Sequence, residues 1–332
     1  MSTTQRALTD FFQRPVSDRT PIRARTGAGG KPKFVDLFCG VGGASLGAVR
    51  AGYDVVLAVD SWDLAIQTHA LNHPSAAHML IELPPSEPLP LPSASEEWHL
   101  HGSPPCTKLS SANQKRDGED TEAALELVRW YVDFALESSA SSWSMEQVSM
   151  PSVVRLMESY KAREHANRNR VAWTLEDFYD HGVPQHRKRL IAGDPETVAR
   201  LRRAPSIRRS IRDVVAIPGG DWVRNSVHRG GTRRPDPERP GRWIYTEYGM
   251  EDALVSVNGP SHTVTSNNLR WAWKSPETGR MEFKIISPFE CALLQCFPSE
   301  YRFPDCGKAN TQRMVGNALP PVVATRFLAN LD

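Results

Sequence analysis

The strongest constraint on this chain is a glycine-rich turn set between two short apolar segments. Phe34-Val35-Asp36-Leu37-Phe38 is apolar and aromatic, the pattern of a buried strand. It breaks at Cys39-Gly40-Val41-Gly42-Gly43, where glycines permit a tight turn and close approach of backbone to a ligand. Residues 44–51 read as a helix stopped by Gly52. Val55-Val56-Leu57-Ala58-Val59 is a second buried strand, closed by Asp60, and residues 64–71 form a second helix ending before His73-Pro74. Strand, helix, strand, helix at this spacing predicts βαβ units, hence an α/β fold on a parallel sheet.

An acid at the end of a second strand can bind ribose hydroxyls. Together with the glycine turn, Asp60 points to a nucleoside cofactor without saying which one. The GxGxxG spacing expected for NAD is not kept, because the glycine after Gly40, Gly42 and Gly43 is Gly47. The plainer alternative is a tight turn with no ligand.

The alternation continues. Residues 98–101 are a third strand leading into Gly102-Ser103-Pro104-Pro105-Cys106. The two prolines restrict the backbone and remove two amide donors just before the thiol. A cysteine is usually a small buried hydrophobe, and Cys39, Cys291, Cys296 and Cys306 suit that description. Cys106, held on a stiff loop at a strand end, reads as a nucleophile. A helix is expected over 121–136, a strand over 142–148, a helix over 152–166 and a strand over 171–175. Alternation is lost over 194–260, and helices return over 288–296 and 311–328.

Five irregularly spaced cysteines exclude a disulfide scaffold, and no pair has the CxxC spacing of a zinc site. No metal is expected. No apolar run nears the ~18 residues of a membrane span, and the start lacks a signal-peptide stretch. These features predict a reduced intracellular setting without membrane partners. The net charge of +2 hides an uneven distribution. Residues 1–33 carry +5 and residues 200–245 carry +8, leaving −11 for the rest. The second basic segment has twelve arginines and no lysine, and guanidinium geometry suits phosphate. A solvated basic face is the alternative.

Taken in order, these motifs resemble the cytosine-C5 DNA methyltransferases. The resemblance begins with Asp36-Leu37-Phe38-Cys39-Gly40-Val41-Gly42-Gly43 and Gly102-Ser103-Pro104-Pro105-Cys106. Glu146-Gln147-Val148 stands where the family has Glu-Asn-Val. Gly182-Val183-Pro184-Gln185-His186-Arg187-Lys188-Arg189 matches the Gln-x-Arg-x-Arg motif and its lead. Pro260-Ser261-His262-Thr263-Val264-Thr265 looks like the segment after target recognition. Ser287-Pro288-Phe289-Glu290 through Leu294-Gln295-Cys296-Phe297-Pro298, and then Gly316-Asn317-Ala318-Leu319-Pro320, complete the set over residues 34–328.

The resemblance implies a doubly wound, Rossmann-like S-adenosylmethionine-dependent methyltransferase domain with a small irregular target-recognition domain. The catalytic part spans 34–193 and 285–332, and 194–284 is the recognition part. The cofactor would be S-adenosyl-L-methionine, leaving as S-adenosyl-L-homocysteine. Cytosine C5 is a poor nucleophile, and a thiolate adding at C6 makes it enamine-like. That role falls to Cys106. Glu146 would protonate the ring N3, which implies a carboxyl group that keeps its proton in a closed, water-poor pocket. Arg187 and Arg189 would hold the base oxygen and the neighbouring phosphate. The base must be flipped out of the duplex to reach them.

Phe38, Cys39, Gly40, Gly42 and Gly43 would surround the methionine end of the cofactor. Asp60, Ser61 and Trp62 would face ribose and adenine, with Pro104 and Asn317 closing the site. Trp62 is one position off the family's adenine-stacking residue. Ser110, Gln185, Thr265, Arg202, Arg203, Arg208, Arg209, Arg233 and Arg234 are the candidate contacts to double-stranded DNA. The chain departs from the family at Thr107 and Leu109, where Gln and Phe are usual, at Gln147, and at Leu80-Ile81, where an Asp-Ile pair is expected. Two other readings stay open: a tRNA cytosine-5 methyltransferase, and a catalytically silent DNA-binding homologue.

Residues 1–33 read as a disordered basic arm. Within it, Gln5-Arg6-Ala7-Leu8-Thr9-Asp10-Phe11-Phe12 resembles the peptide that binds the eukaryotic and archaeal sliding clamp (PCNA). One 3₁₀ turn would set Leu8, Phe11 and Phe12 on one face, with Gln5 reaching a second pocket. A short helix packing on the parent domain is the alternative. The expected state is a monomer, nuclear or at replicating DNA in a eukaryotic or viral host.

Overall fold

The computed structural model describes residues 30–105, 118–162, 171–215, 222–225, 233–235, 243–245, 259–266, 270–274 and 281–329. Its centre is a seven-stranded sheet of β1 (Lys33–Leu37), β2 (Asp54–Asp60), β3 (Ala77–Leu80), β4 (Trp98–Gly102), β5 (Ser142–Val148), β6 (Ala172–Asp177) and β7 (Lys188–Gly193). The spatial order is β3-β2-β1-β4-β5-β7-β6. β1 to β5 pair in parallel, and β7 runs antiparallel between β5 and β6. The sheet is therefore mixed where a parallel one was expected. The reversal matters to the site: β7 begins at the edge where the parallel strands end, so its first residues join their carboxyl ends.

Alternation along β1 assigns the two faces. Val35 and Leu37 pack with α3 (Gly118–Glu137) and α4 (Pro151–Ala162), through Val128, Tyr131, Val132, Val153 and Met157. Phe34 packs on the other face with α1 (Gly43–Arg50), α5 (Pro195–Arg203) and α8 (Pro321–Leu328). Helices α2 (Asp63–Asn72), α6 (Pro288–Leu294) and α7 (Lys308–Asn317) complete the body. Both faces are covered, as in doubly wound sheets. Outside it, β8 (Trp222–Asn225), β11 (Arg270–Lys274) and β12 (Met281–Ile285) form a three-stranded antiparallel sheet, and β9 (Arg233–Pro235) pairs with β10 (Trp243–Tyr245).

Three elements differ from the sequence expectation. β3 is an edge strand whose sequence, Ala77-His78-Met79-Leu80, lacks the apolar run that betrays a buried strand. α5 lies where alternation was judged lost. It has an Asp194 cap accepting from Glu196 and Thr197 amides, Pro195 at its first turn, and Val198 and Leu201 buried. Arginines dominate its composition and mask that pattern. The single helix expected over 311–328 is two helices, because Ala318-Leu319-Pro320 cannot continue α7.

Candidate active site

The glycine turn sits at the carboxyl end of β1. Phe38 and Gly40 have positive φ (57° and 51°), as does Gly42 (86°). No atom lies within 4 Å of where a Gly40 Cβ would stand, so that side of the turn is open. Gly42 and Gly43 face inward instead. A Cβ on Gly43 would come 2.0 Å from the Leu319 carbonyl oxygen, and one on Gly47 2.4 Å from Ala324 Cβ, which sets α1 tightly on α8. A Cβ on Gly42 would meet His69, Tyr301 and His73. The Tyr301 hydroxyl donates to the Val41 carbonyl and supports the turn from below.

A chain of neutral polar groups lies under the same turn. Ser45 Oγ donates to Asp36 Oδ2 at 2.6 Å, His69 Nε2 is 2.9 Å from Ser45 Oγ, and His78 Nε2 is 2.9 Å from His69 Nδ1. Burial pushes the Asp36 carboxyl up to about 8 and Cys39 well above the usual thiol range. Burial, with neighbouring histidine charge, holds His69 well below its ordinary value and brings His73 down to about 4. Cys39 is thus a buried thiol unsuited to nucleophilic work.

Asp60 ends β2. Its Oδ2 accepts from the Gly40 amide and its Oδ1 from the Trp62 amide, both at 2.8 Å. Burial raises its pKa. With the Ser61 amide also bonded to it, Asp60 ties the loops after β1 and β2 together through three amides and keeps one acceptor direction. Ser61 is exposed and Trp62 half-buried, with the Arg313 guanidinium 4.5 Å from the Trp62 ring centre. Asn317 is exposed at the end of α7.

At the same edge, β5 brings Glu146 beside Arg189 of β7. Arg189 Nε lies 2.8 Å from Glu146 Oε1, both side chains being largely buried. The next residue, Gln147, donates from Nε2 to the Pro104 carbonyl at 3.1 Å and accepts at Oε1 from the Val148 amide. Gln147, a departure from the resembled pattern, thereby anchors the stem of the Cys106 loop. Cys106 and Ser110 themselves lie outside the described residues, as do Gln5, Leu8, Phe11 and Phe12. Gly102 leaves room for the buried Tyr131 ring, which a Cβ would approach to 2.2 Å.

Two expected surface roles fail on geometry. Arg187 is 2% exposed, and it donates to the carbonyls of Val264, Gly316 and Ala318 at 3.0–3.2 Å. It binds chain segments together and has no path to a base. Gln185 is fully buried, donating to Leu294 O and Gln295 Oε1 and accepting from the Val264 amide. It cannot touch a duplex. Both side chains face inward because residues 183–187 run beneath the 261–265 segment, a placement that motif spacing does not encode.

The sequence model of the C-5 cytosine-specific DNA methylases matches residues 32–193 and 223–332. The chain belongs to this family. It is a DNA (cytosine-5)-methyltransferase. Among its relatives, the Type II methyltransferase M.HgiDI of Herpetosiphon aurantiacus is 28% identical over 90% of this chain and 93% of its own. M.MthTI of Methanothermobacter thermautotrophicus is 25% identical over 88% and 94%. Among solved structures, a putative DNA modification methyltransferase encoded within an E. coli prophage aligns with a TM-score of 0.56 at 20% identity, covering 90% of this chain and 97% of that one. DNMT2 of Spodoptera frugiperda aligns with the same TM-score at 16% identity, covering 90% and 99%. These structural likenesses concern the fold.

The remaining candidate positions of the methylase separate by environment. Arg202 and Arg203 are exposed at the end of α5, with Arg203 paired to Glu196. Arg208 pairs with Asp180 at 2.8 Å and lies over the Tyr179 ring, and Arg209 is half-buried. Arg233 and Arg234 lie on β9. Thr265 is half-buried, its carbonyl accepting from Gln312. Sequence reasoning missed Tyr301, His69 and the anchoring role of Gln147. Only His69 has a sequence signal, the three histidines at positions 69, 73 and 78.

Proposed function

We propose that this methylase works through Cys106 as nucleophile and Glu146 as acid, on a cytosine flipped out of double-stranded DNA. The observation that supports this most is the meeting at one sheet edge of the Cys106 loop stem, anchored by Gln147, with the Glu146–Arg189 pair. The Cys106 thiolate adds to cytosine C6 while Glu146 passes a proton to N3, making C5 electron-rich. Arg189 orients the Glu146 carboxyl and receives the charge left on it. Once C5 carries the methyl group, loss of its proton to water, expulsion of the thiolate and return of the N3 proton to Glu146 restore the aromatic ring.

The residues present fit S-adenosylmethionine. Gly40 leaves open space that a side chain would fill, and Asp60 keeps acceptor capacity toward a ribose. Phe38, Gly40, Asp60, Ser61, Trp62, Pro104 and Asn317 would hold it, and when bound it supplies an electrophilic methyl group. Duplex DNA containing 5-fluorocytosine tests the scheme. A covalent adduct is expected with the native chain and none with Cys106→Ala; methylation persisting in Cys106→Ala rejects it.

Residues 5–12 would dock a sliding clamp of the PCNA type through Gln5, Leu8, Phe11 and Phe12, placing a monomeric enzyme at replicating DNA, in the nucleus of a eukaryotic or virus-infected cell. The leucine–aromatic spacing supports this. Capture of purified PCNA should be lost in a Phe11→Ala, Phe12→Ala double variant, and unchanged capture would reject it.

A further inference from the structure

Two histidines occupy the centre of the sheet where apolar residues would serve the fold. His99 and His101 of β4 are 1% and 0% exposed, and they lie on one face with their cross-strand partners Ser142 and Ser144 of β5. Every ring nitrogen has a hydroxyl partner. His99 Nδ1 is 2.7 Å from Ser142 Oγ, and His99 Nε2 is 2.8 Å from Ser144 Oγ. His101 Nδ1 is 2.7 Å from Ser144 Oγ, and His101 Nε2 is 3.1 Å from Ser103 Oγ. Phe34 stacks on both imidazoles at 5.6 and 6.1 Å, Phe327 stacks on His101 at 5.9 Å, and Tyr53 meets His99 edge-on. Across β1, the facing Asp36 is engaged by Ser45. Burial brings His101 down to about 3, so its ring is neutral under working conditions.

The ladder points at the acid. His101 pairs with Ser144, and the pairing ends at Gly102 and Met145. Extending the same register by one residue sets Ser103 opposite Glu146, and the Gln147 side chain reaches the Pro104 carbonyl just beyond. At the other end, Ser142 is half-exposed at the opposite edge of the sheet.

We propose that Ser142, His99, Ser144, His101 and Ser103 form a proton relay that delivers a proton to Glu146 from the far edge of the sheet. The proposal rests on the reading of Glu146 as the acid. With one proton on each ring, this chain has only two fully satisfied arrangements. In one, every donor points toward the site: Ser142 to His99 Nδ1, His99 Nε2 to Ser144, Ser144 to His101 Nδ1, and His101 Nε2 to Ser103. No hydrogen bond joins Ser103 to Glu146 in this structure, so the last transfer is made when the Glu146 carboxylate swings onto the Ser103 hydroxyl. In the other, every donor is reversed and Ser103 accepts from a protonated Glu146. Passing from the first to the second moves one proton from a hydronium ion or buffer acid at Ser142 into the chain and one from Ser103 onto Glu146. Both imidazoles change tautomer and no charge remains behind. Glu146 stands opposite Arg189 and must gain a proton before it can act. A duplex on the carboxyl edge shuts out solvent there while the Ser142 end stays open.

The full chain, duplex DNA and labelled S-adenosylmethionine supply the test. Ser144→Ala should lower kcat by about tenfold, less than the roughly 10²–10⁴-fold lost with the acid itself. The KM for the cofactor should stay within about twofold, since ground-state binding is untouched. The solvent-deuterium effect on kcat should rise, and Ser144→Thr should recover most of the rate. Ser103→Ala, at the half-exposed end, should reproduce the rate loss and isotope effect if Ser144→Ala folds poorly. An unchanged kcat overturns the relay, and so does a loss with an unchanged isotope effect, which marks a packing defect. Glu146→Gln separates the two ideas. If it methylates normally, the acid assignment falls. If it is inactive while both serine variants are normal, only the relay falls.

Discussion

The glycine turn and the arginine edge lie at the same end of one sheet, yet different forces hold them. The turn is held by shape and by neutral groups. Gly43 sits against a carbonyl, Gly42 against two histidines and a tyrosine, and the buried Asp36 carboxyl rises to about 8 and so keeps its proton at neutral pH. The edge is held by charge. Arg187 and Arg189 are two residues apart on opposite sides of that problem: one guanidinium satisfies three buried carbonyls, the other faces Glu146. The turn should therefore be sensitive to added volume and the edge to lost hydrogen bonding. The two arginines of one motif thus sit in two environments, one binding carbonyls and one facing a carboxylate.

The largest effect should come from the charged side. Glu146→Gln keeps the shape and removes the proton, so methyl transfer should fall by about 10²–10⁴-fold in a labelled-cofactor assay. A loss under threefold would mean that the pair with Arg189 is structural. The two arginines should then separate. Arg187→Leu removes the donor to the buried Val264 and Gly316 carbonyls and leaves Ala318 with Gln295 alone, and it should cost about 3 kcal/mol in urea unfolding. Arg189→Leu should reduce turnover more than stability. Equal profiles for the two would erase the distinction drawn here.

On the turn, Gly43→Ala should cost about 2 kcal/mol through overpacking against Leu319. Gly40→Ala adds a methyl group to open space at positive φ and should cost about 1 kcal/mol. Its main sign should be a raised cofactor KM. If Gly40→Ala binds the cofactor normally, the open side of the turn is not the cradle.

The smallest effect concerns pH. His73 and His101 fall to about 4 and about 3 from an ordinary 6.5, so below pH 6.5 the unfolded chain binds protons that the folded chain refuses. Stability from these groups is thus lost as pH falls from 6.5 toward 4. Asp36 has the opposite sign, losing stability as pH rises from 3.8 to about 8. His69 and His78 are lowered as well, and these four histidines outweigh the two raised carboxyls, Asp36 and Asp60, so the net melting temperature should fall on acidification. His73→Leu should flatten that slope in thermal melts between pH 6.5 and 5. An unchanged slope would remove His73 from the account.

Much of the fold was legible because its strands are apolar on both faces and its helices end at glycine or proline. The 142–148 strand appeared with the bounds it has. β3 and α5 were hidden, one for want of an apolar run and the other under arginines. The antiparallel β7 was hidden because strand direction leaves no local mark. Among site residues, Asp60 stood out as an acid at a strand end, and Glu146 only through its motif. Gln185 and Arg187 misled because spacing reports that residues belong together and says nothing about which way they face.

By itself, the sequence determined the βαβ frame, the stiff loop before Cys106 and the family, since backbone preferences and ordered motifs are local properties. Tertiary structure alone decided what each polar group meets. It turned Arg187 inward, set Gln147 on Pro104, and aligned His99 and His101 with two serines from a strand some forty residues away. Hydrogen bonds depend on the meeting of distant strands in one register, and that register exists only once the sheet has formed.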